Sequence, residues 1–353
     1  MNRNTLLLIL GSVLSGSLMG CGATEPTQPT AKAGFAQTEQ SATGEVVDAS
    51  MSEHERLNAY LAKVFADNLS RQPFTASYLG IKDRHGEWNP QSETFNDEER
   101  ARMEQGLIDL AEFNRAALPD AGKLSLDLYR MSLERSLAMD EFRHHRYALH
   151  QFRGAHTQIP SSLINIHRVS DLSDAEAYID RIQNVESYLG EVIEQLEVRA
   201  EKGLYLVDWM YPAILESSNN VITGQPFDDS DAVSPVWADF QKKVATLDLS
   251  EDETARLVNA GRTALMDAFK PAYQRFIAVI EKQSESASPN DGVWRLPDGD
   301  AFYQRLLQWF TTTDLTADEV HQLGLDNIER IHGQMREIMK QVGFEGSLQA
   351  FFV

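Results

Sequence analysis

An all-α fold is predicted for residues 51–353, as an irregular array of about nine helices. Helix-capping pairs recur along the chain, and apolar residues follow them three and four positions apart, as on one face of a helix. Glycines then stand where these segments end. No run of alternating β-branched residues bounded by hairpin turns is present, and no repeat occurs at the period of a solenoid.

The starts and ends of the predicted helices share a few local signals. Capping boxes are predicted at Ser52/Glu55, Ser173/Glu176, Ser250/Glu253 and Thr316/Glu319, with a weaker variant at Asn96/Glu99. Ser234-Pro235 predicts another start, with proline at the first helical position. Stops are predicted at Gly203, Gly224 and Gly343, and Pro271 is expected to kink or split a helix over 251–282.

Composition excludes two classes of function. Lys+Arg number 32 and Asp+Glu number 53, a formal net charge of −21, so the chain is a poor ligand for the phosphates of a nucleic acid. The single cysteine, Cys21, allows no internal disulfide and no cysteine-based zinc or iron–sulfur site. A hydrophobic fraction of 42% is enough for a sizeable core, which excludes disorder over the whole length.

Residues 1–20 have the anatomy of a secretory signal peptide, with an apolar run too short to span a bilayer stably. The segment ends in Leu18-Met19-Gly20-Cys21, which resembles the bacterial lipoprotein cleavage box, so Cys21 is the predicted lipid attachment site. An ordinary signal peptide with an incidental cysteine is the alternative. Residues 21–50 are rich in Thr, Pro, Ala, Gln, Gly and Ser, which predicts a flexible tether before the helical domain of 51–353.

The predicted location is the outer membrane of a Gram-negative bacterium, with the helical domain in the periplasm. The residue after Cys21 is Gly22 and not aspartate, which by the usual sorting rule favours the outer membrane. The lipid bilayer, reached through acylated Cys21, is therefore the first predicted partner.

The common catalytic signatures are missing from the sequence. No His-Glu-x-x-His occurs, no two of the nine histidines lie four apart, and neither a phosphate-binding glycine loop nor a Gly-x-Ser-x-Gly elbow is found in the mature chain. Glu141-x-x-His144 and Glu329-x-x-His332 match the spacing of di-iron helical bundles. Helical periodicity places Glu329 on the solvent side of its helix, opposite a predicted core face from Val320 to Val342, which argues against a dinuclear site.

A helix over residues 125–149 carries the remaining candidate pair. Asp140 and His144 are four apart and continue the apolar stripe of that helix, so they could hydrogen-bond to each other and line a cleft. A core or subunit-contact Asp–His pair is the alternative. The histidines that follow, at positions 145, 150, 156 and 167, are interpreted as scattered surface residues because no metal-ligand spacing joins them.

Several segments resemble one bacterial family. The longest is Gly292-Val-Trp294-Arg-Leu-Pro297-Asp-Gly299, followed by Phe302-Tyr303 and by Thr311-Thr312-Thr313 with Glu319-Val-His321-Gln-Leu-Gly324. Shorter pieces are Pro73-Phe-Thr75-Ala-Ser-Tyr78-Leu-Gly80 and Tyr178-Ile-x-Arg181. Together they resemble the bacterial domain of unknown function family numbered 885, from about Ser52 to the end of the chain.

The resemblance implies a helical, zinc-metallopeptidase-like protein, often a lipoprotein. The family's His-Glu-x-x-His helix lies further toward the C-terminus, and this sequence ends at Leu348-Gln-Ala-Phe-Phe-Val353, before that motif. The chain is therefore predicted to be the N-terminal part of the family domain, with no catalytic residue, metal site or cofactor of its own. Zinc is expected only in full-length relatives, and the predicted partners are a peptide substrate or the missing C-terminal half.

Two aromatic residues of the matched segment could border a substrate channel by family analogy. They are Trp294 and Tyr303, for which packing in the core is the alternative. For the whole chain, the alternative function is a metal-free helical lipoprotein that binds a peptide, solute or partner protein in the periplasm.

Overall fold

The computed structural model describes residues 51–290 and 292–352, and throughout this part of the chain the secondary structure is helical with no β-strand. The all-α prediction is confirmed. The predicted signal peptide, the tether and Cys21 lie outside the described residues. No helix among the described residues is both long and apolar enough to cross a membrane.

The described residues contain twelve α-helices of 11 or more residues and two short ones, so the expectation of about nine was too low. The first seven are α1 (Glu53–Arg71), α2 (Pro73–Tyr78), α3 (Glu93–Ala111), α4 (Asp120–Asp140), α5 (Ala155–Asn165), α6 (Leu172–Gln183) and α7 (Val185–Glu201). The others are α8 (Tyr211–Val221), α9 (Pro235–Ala245), α10 (Glu251–Ala264), α11 (Lys270–Ser284), α12 (Gly299–Thr311), α13 (Ala317–Gln341) and α14 (Leu348–Phe351).

Most of the predicted helix boundaries are confirmed. Complete capping boxes form at Ser52, Ser250 and Thr316, and Ser234 caps α9 with Pro235 in its first turn. A π-helical turn, Leu265–Phe269, separates α10 from α11 just before Pro271, as the predicted split requires. The predicted stops at Gly203, Gly224 and Gly343 all have positive φ, the backbone region that favours glycine after a helix.

Three predicted boundaries were wrong. Helix α6 is capped by Asp171 and not by Ser173, because the Asp171 carboxylate accepts a hydrogen bond from the Asp174 amide. Helix α3 begins after Ser92, so Asn96 lies inside it and caps nothing. Helix α4 ends at Asp140, and the chain continues through turns where the sequence predicted helix up to residue 149.

The buried apolar residues form three clusters. The largest joins helices α5 to α11 around Tyr178, Phe240 and Phe276. A second, around Leu57 and Leu126, packs α1 against α3 and α4. The third connects the end of α4 to α12 through Met139, Phe142 and Phe302.

Helix α13 differs most from expectation. Its apolar face was predicted to point into the core, yet Met339 is its only buried residue among those described. Ile328, Ile331, Ile338 and Val342, here called the α13 apolar face, are 39–63% exposed. Helix α14 is the main element packed against α13 in the described chain, so the amphipathic pattern is real but most of its apolar side lacks a covering layer.

Candidate functional site

A polar cavity of about 320 Å³ lies where α3, α5 and α7 meet the turns that follow α4. Its wall contains four carboxamide side chains, those of Gln91, Asn96, Gln158 and Gln195. Four charged residues, Glu99, Asp140, Arg143 and Arg199, also line it. Met103, Tyr188 and Val192 supply apolar and aromatic surface, so the cavity combines fixed polar groups with apolar contact area, as small-ligand sites do.

Helix α7 supplies one wall because its buried face changes from apolar to polar along its length. Val192 and Leu196 lie in the main core, and Gln195 is 7% exposed beside them. Arg199 follows Val192 by seven positions and Leu196 by three, so it falls on the same face of the helix. Packing of α7 against α11 therefore fixes where Gln195 and Arg199 enter the cavity.

Glu93, in the first turn of α3, accepts hydrogen bonds from two residues of the cavity wall, Gln195 and Arg143. Its Oε1 lies 2.9 Å from His144 Nε2 and accepts a hydrogen bond from Gln195 Nε2 at 2.5 Å. Its Oε2 accepts a hydrogen bond from the Arg143 guanidinium at 2.8 Å. Burial alone would raise the pKa of Glu93, but the hydrogen bonds from His144 and Gln195 outweigh it and hold the pKa below its usual value.

The predicted hydrogen bond between Asp140 and His144 does not form. Asp140 accepts one from Arg100 at 3.0 Å, whereas His144 contacts Glu93. Because α4 ends at Asp140, the four-residue helical spacing that would bring the two side chains together is lost. Both still belong to one ion-pair network through Arg143, whose guanidinium lies 3.8 Å from Asp140 and 2.8 Å from Glu93.

Arg199 connects α7 to the turns after α4 by hydrogen bonds. Its guanidinium donates to the Gln195 backbone oxygen and Oε1, both at 2.8 Å, and to the carbonyl oxygens of Arg143 and Arg146, both at 3.3 Å. Burial lowers the pKa of Arg199 from its usual value. All of these acceptors are neutral.

Only one of the four predicted cleft-lining residues lines this cavity. Asp140 lines it, but His144 lines a small neighbouring void beside His145. Trp294 is 69% exposed and Tyr303 is 43% exposed, so the alternative of core packing was wrong for both. In the described chain Tyr303 faces solvent on α12, and Trp294 faces solvent in the short 3-10 turn Val293–Arg295 that precedes this helix.

A second polar cluster is buried between α2 and α6. Ser77 Oγ lies 2.9 Å from His85 Nδ1 and accepts a hydrogen bond from Arg181 at 2.8 Å. The His85 ring packs against the His167 ring in a tilted arrangement, with ring centroids 4.1 Å apart. A serine beside a histidine resembles two members of a catalytic triad. However, Ser77 is 5% exposed and Arg181 is fully buried, so we interpret the cluster as a structural part of the core.

Two histidines contradict the surface interpretation. His156 is fully buried and His167 is 1% exposed, because both lie against the aromatic residues of the main core. Burial lowers the pKa of His156 to about 4, with a smaller contribution from His150. Burial lowers the pKa of His167 to about 3, with smaller contributions from Arg181 and His85.

A second, more open cavity of about 480 Å³ lies beside this cluster, with Lys82, His85 and Asp174 in its wall. Lys82 Nζ lies 2.7 Å from the Asp174 carboxylate, which also accepts a hydrogen bond from Ser170 Oγ at 2.6 Å. Lys82 and Asp174 on this cavity's wall are therefore already paired with each other, and the cavity is more open than the first one, which makes the first cavity the stronger candidate site.

Zinc does not fit the part of the chain that the structure describes. Residues 51–290 and 292–352 contain no group of three or more His, Cys, Asp or Glu side chains placed to hold a metal ion. Three or four such ligands around one point are what a protein zinc site requires.

The sequence analysis missed Arg143 and Arg199, which line the cavity, and Glu93, which accepts hydrogen bonds from Arg143 and Gln195. Only Arg199 carried a readable signal, since its spacing from Val192 and Leu196 places it on the buried face of α7. Glu93 and Arg143 are 50 residues apart in the sequence, so no local sequence pattern predicts their contact.

Comparison with known proteins is consistent with this architecture. The crystal structure of a candidate lipoprotein from Colwellia psychrerythraea has the same fold, with a TM-score of 0.68 at 18% sequence identity. The match covers 84% of this chain and 52% of that one, so the present chain spans about half the length of its structural relative. No curated protein matches this chain at a significant level. The family described as "Bacterial protein of unknown function (DUF885)" matches residues 73–353, and the chain belongs to that family.

Proposed function

We propose that this chain is a lipid-anchored, exported helical protein whose polar cavity binds a short peptide or a peptide-like solute. In this proposal it is the N-terminal portion of a metallopeptidase-like protein, and any zinc centre is supplied by residues outside the chain. The Leu18-Met19-Gly20-Cys21 segment supports the anchor, together with the fold shared with a candidate lipoprotein.

The polar cavity is the observation that carries the binding proposal. Its carboxamide groups can donate to and accept from the backbone of an extended ligand, while Met103, Tyr188 and Val192 can contact a side chain. The network around Glu93 fixes Gln195 and Arg143 before any ligand arrives, which reduces the entropy lost on binding.

Titration calorimetry of the mature chain with the tripeptide Ala-Ala-Leu tests the proposal. Binding is expected in wild type and is expected to be lost in Gln158→Trp, because the indole fills the cavity. Gln241→Trp is the matched control, since Gln241 is exposed on α9. Absence of tripeptide binding by the wild-type chain contradicts the proposal, and equal binding by the Gln158→Trp variant excludes this cavity as the site.

The proposal on zinc has a separate test. Elemental analysis of the mature chain is expected to give no stoichiometric zinc, and a peptide hydrolysis assay is expected to give no cleavage. One tightly held zinc per chain would overturn this part of the proposal.

We further propose that a second helical portion covers the α13 apolar face. Ile328, Ile338 and Val342 are all more than half exposed, an arrangement that water disfavours over a contiguous surface. The match covers only 52% of the structural relative, and the remainder of that relative is a candidate for the covering layer. The DNA immediately downstream of codon 353 tests whether such a second portion belongs to the peptidase lineage. A His-Glu-x-x-His in any reading frame supports that lineage, and the absence of the motif contradicts it.

A further inference from the structure

We infer that the polar cavity recognises the C-terminal carboxylate of its ligand, and that Arg199 is the residue that binds it. This inference rests on the proposed function of the cavity as a peptide site and adds the ligand group and the residue that selects it.

Every other charged group in the cavity wall already has an oppositely charged partner. Glu99 lies 2.5 Å from the Arg71 guanidinium, and Asp140 lies 3.0 Å from Arg100. Arg143 lies 2.8 Å from Glu93 and 2.7 Å from Asp97. Arg143 therefore contacts two carboxylates, and each of these three charged side chains of the wall has an oppositely charged partner within 3.0 Å.

Arg199 is different because each acceptor that it contacts in the described residues is neutral. It donates to backbone oxygens and to Gln195 Oε1, and no carboxylate oxygen lies within ion-pair distance of it among those residues. Glu93 contributes an attractive field, but its two oxygens are occupied by His144, Gln195 and Arg143. A cation in partly buried surroundings without a counter-ion favours an anionic ligand.

The donor count leaves room for that ligand. A guanidinium carries five N–H groups, and the four hydrogen bonds of Arg199 occupy four of them. The remaining N–H is on the nitrogen that donates to the Arg143 carbonyl at 3.3 Å, a long bond that a stronger acceptor can replace.

A carboxylate fits this site better than a phosphate. One uncompensated positive charge matches a monoanion, whereas a phosphate dianion would leave a net negative charge among several carboxylates. The carboxamides of Gln91, Asn96 and Gln158 match the peptide groups that precede a C-terminal carboxylate. The volume of about 320 Å³ is at the lower end of the range for small-ligand pockets, which suits a short peptide.

The test compares Ala-Ala-Leu with its C-terminal amide by titration calorimetry of the mature wild-type chain. The amide is expected to bind about tenfold or more weakly, as for loss of a hydrogen bond to a charged group. Arg199→Met is expected to reduce binding of the free acid to the level of the amide. Arg256→Met is the matched control, because Arg256 is half-exposed on α10 and paired with Glu176.

The outcomes separate the inference from the proposed function. Equal affinity of wild type for the acid and the amide overturns the inference and leaves peptide binding intact, whereas no binding of either overturns both. Inorganic phosphate that displaces the tripeptide more effectively than acetate also contradicts the carboxylate assignment. Should Arg199→Met fail to fold, the comparison of acid and amide in wild type decides the matter, and Arg199→Lys is expected to retain part of the discrimination.

Discussion

Arg181 donates a hydrogen bond to Ser77 Oγ over 2.8 Å and thereby joins α6 to α2 across 104 residues of sequence. The guanidinium carbon lies 5.3 Å from the ring centroid of Phe74 and 5.6 Å from that of Trp88, a cation–π arrangement. Arg181 Nε and Nη1 have no hydrogen-bond partner in the described structure. Burial lowers the pKa of Arg181 to about 10. Two of the segments that resemble the family, Pro73–Gly80 and Tyr178–Arg181, therefore meet at one buried cation.

Replacement of Arg181 separates the contribution of its charge from that of its volume. Arg181→Met is expected to leave the free energy of unfolding unchanged or to raise it, because the desolvation of an unpaired charge is removed while the volume is largely kept. Arg181→Ala is expected to lower it by about 3 kcal/mol, because a cavity is left beside Phe74 and Trp88. Urea denaturation of both variants measures the difference. Equal destabilisation by Met and Ala would mean that the cation itself stabilises the fold.

Acidification is expected to destabilise the protein through His156 and His167. Their pKa values in the folded state are about 4 and about 3, whereas an unfolded histidine titrates near 6.5. Both are therefore neutral when folded, and below about pH 6.5 the unfolded state binds more protons. Their stabilising contribution is complete above that pH and is lost as the pH falls toward 4 for His156 and 3 for His167.

The slope of stability against pH measures this effect. Each histidine is expected to lower the free energy of unfolding by up to about 1.4 kcal/mol per pH unit in its window. His156→Phe removes one titrating group from the stack against Phe276, so the slope between pH 6 and 4.5 should become shallower by that amount. His321→Phe, at an exposed position, measures the effect of the substitution itself. A slope unchanged in His156→Phe would contradict the assignment.

Two glycine-to-alanine substitutions are expected to have opposite signs. Gly190 is exposed on α7, and an added Cβ there meets nothing within 4 Å, so Gly190→Ala should stabilise by about 0.5–1 kcal/mol through the unfolded chain and helix propensity. Gly261 on α10 faces the buried ring of Phe240, which an added Cβ would overlap. Gly261→Ala should therefore cost about 1–3 kcal/mol. Thermal unfolding of both variants checks the pair, and a stabilising Gly261→Ala would refute the close approach of α9 and α10.

Replacement of Cys21 with serine is expected to move the protein from the membrane fraction to the soluble fraction. Serine cannot form the thioether that carries the lipid, and the described residues contain no helix that could span a bilayer instead. Fractionation followed by immunoblotting compares this variant with wild type. Continued membrane association of the serine variant would count against the lipid anchor.

The parts of the fold that depend on short-range contacts were predictable. A capping box at Ser250 needs only the side chains and amides of residues 250 to 253, and it forms as the sequence indicates. Asp171 was missed because it competes with Ser173 for the same helix start, and the carboxylate makes the better-placed hydrogen bond. The early end of α4 was missed because no proline or glycine marks it.

By itself, the sequence determined that the chain is helical, where most helices begin and end, and which face of each is apolar, because these properties depend on neighbours three or four residues away. The tertiary structure alone decided that Arg143 and Arg199 share one cavity wall and that Glu93 contacts Arg143 and Gln195, since these residues come from segments about 50 to 100 residues apart. It also decided that the α13 apolar face is exposed in the described chain. An amphipathic pattern states that a surface should be covered, but only the packed chain shows whether anything covers it.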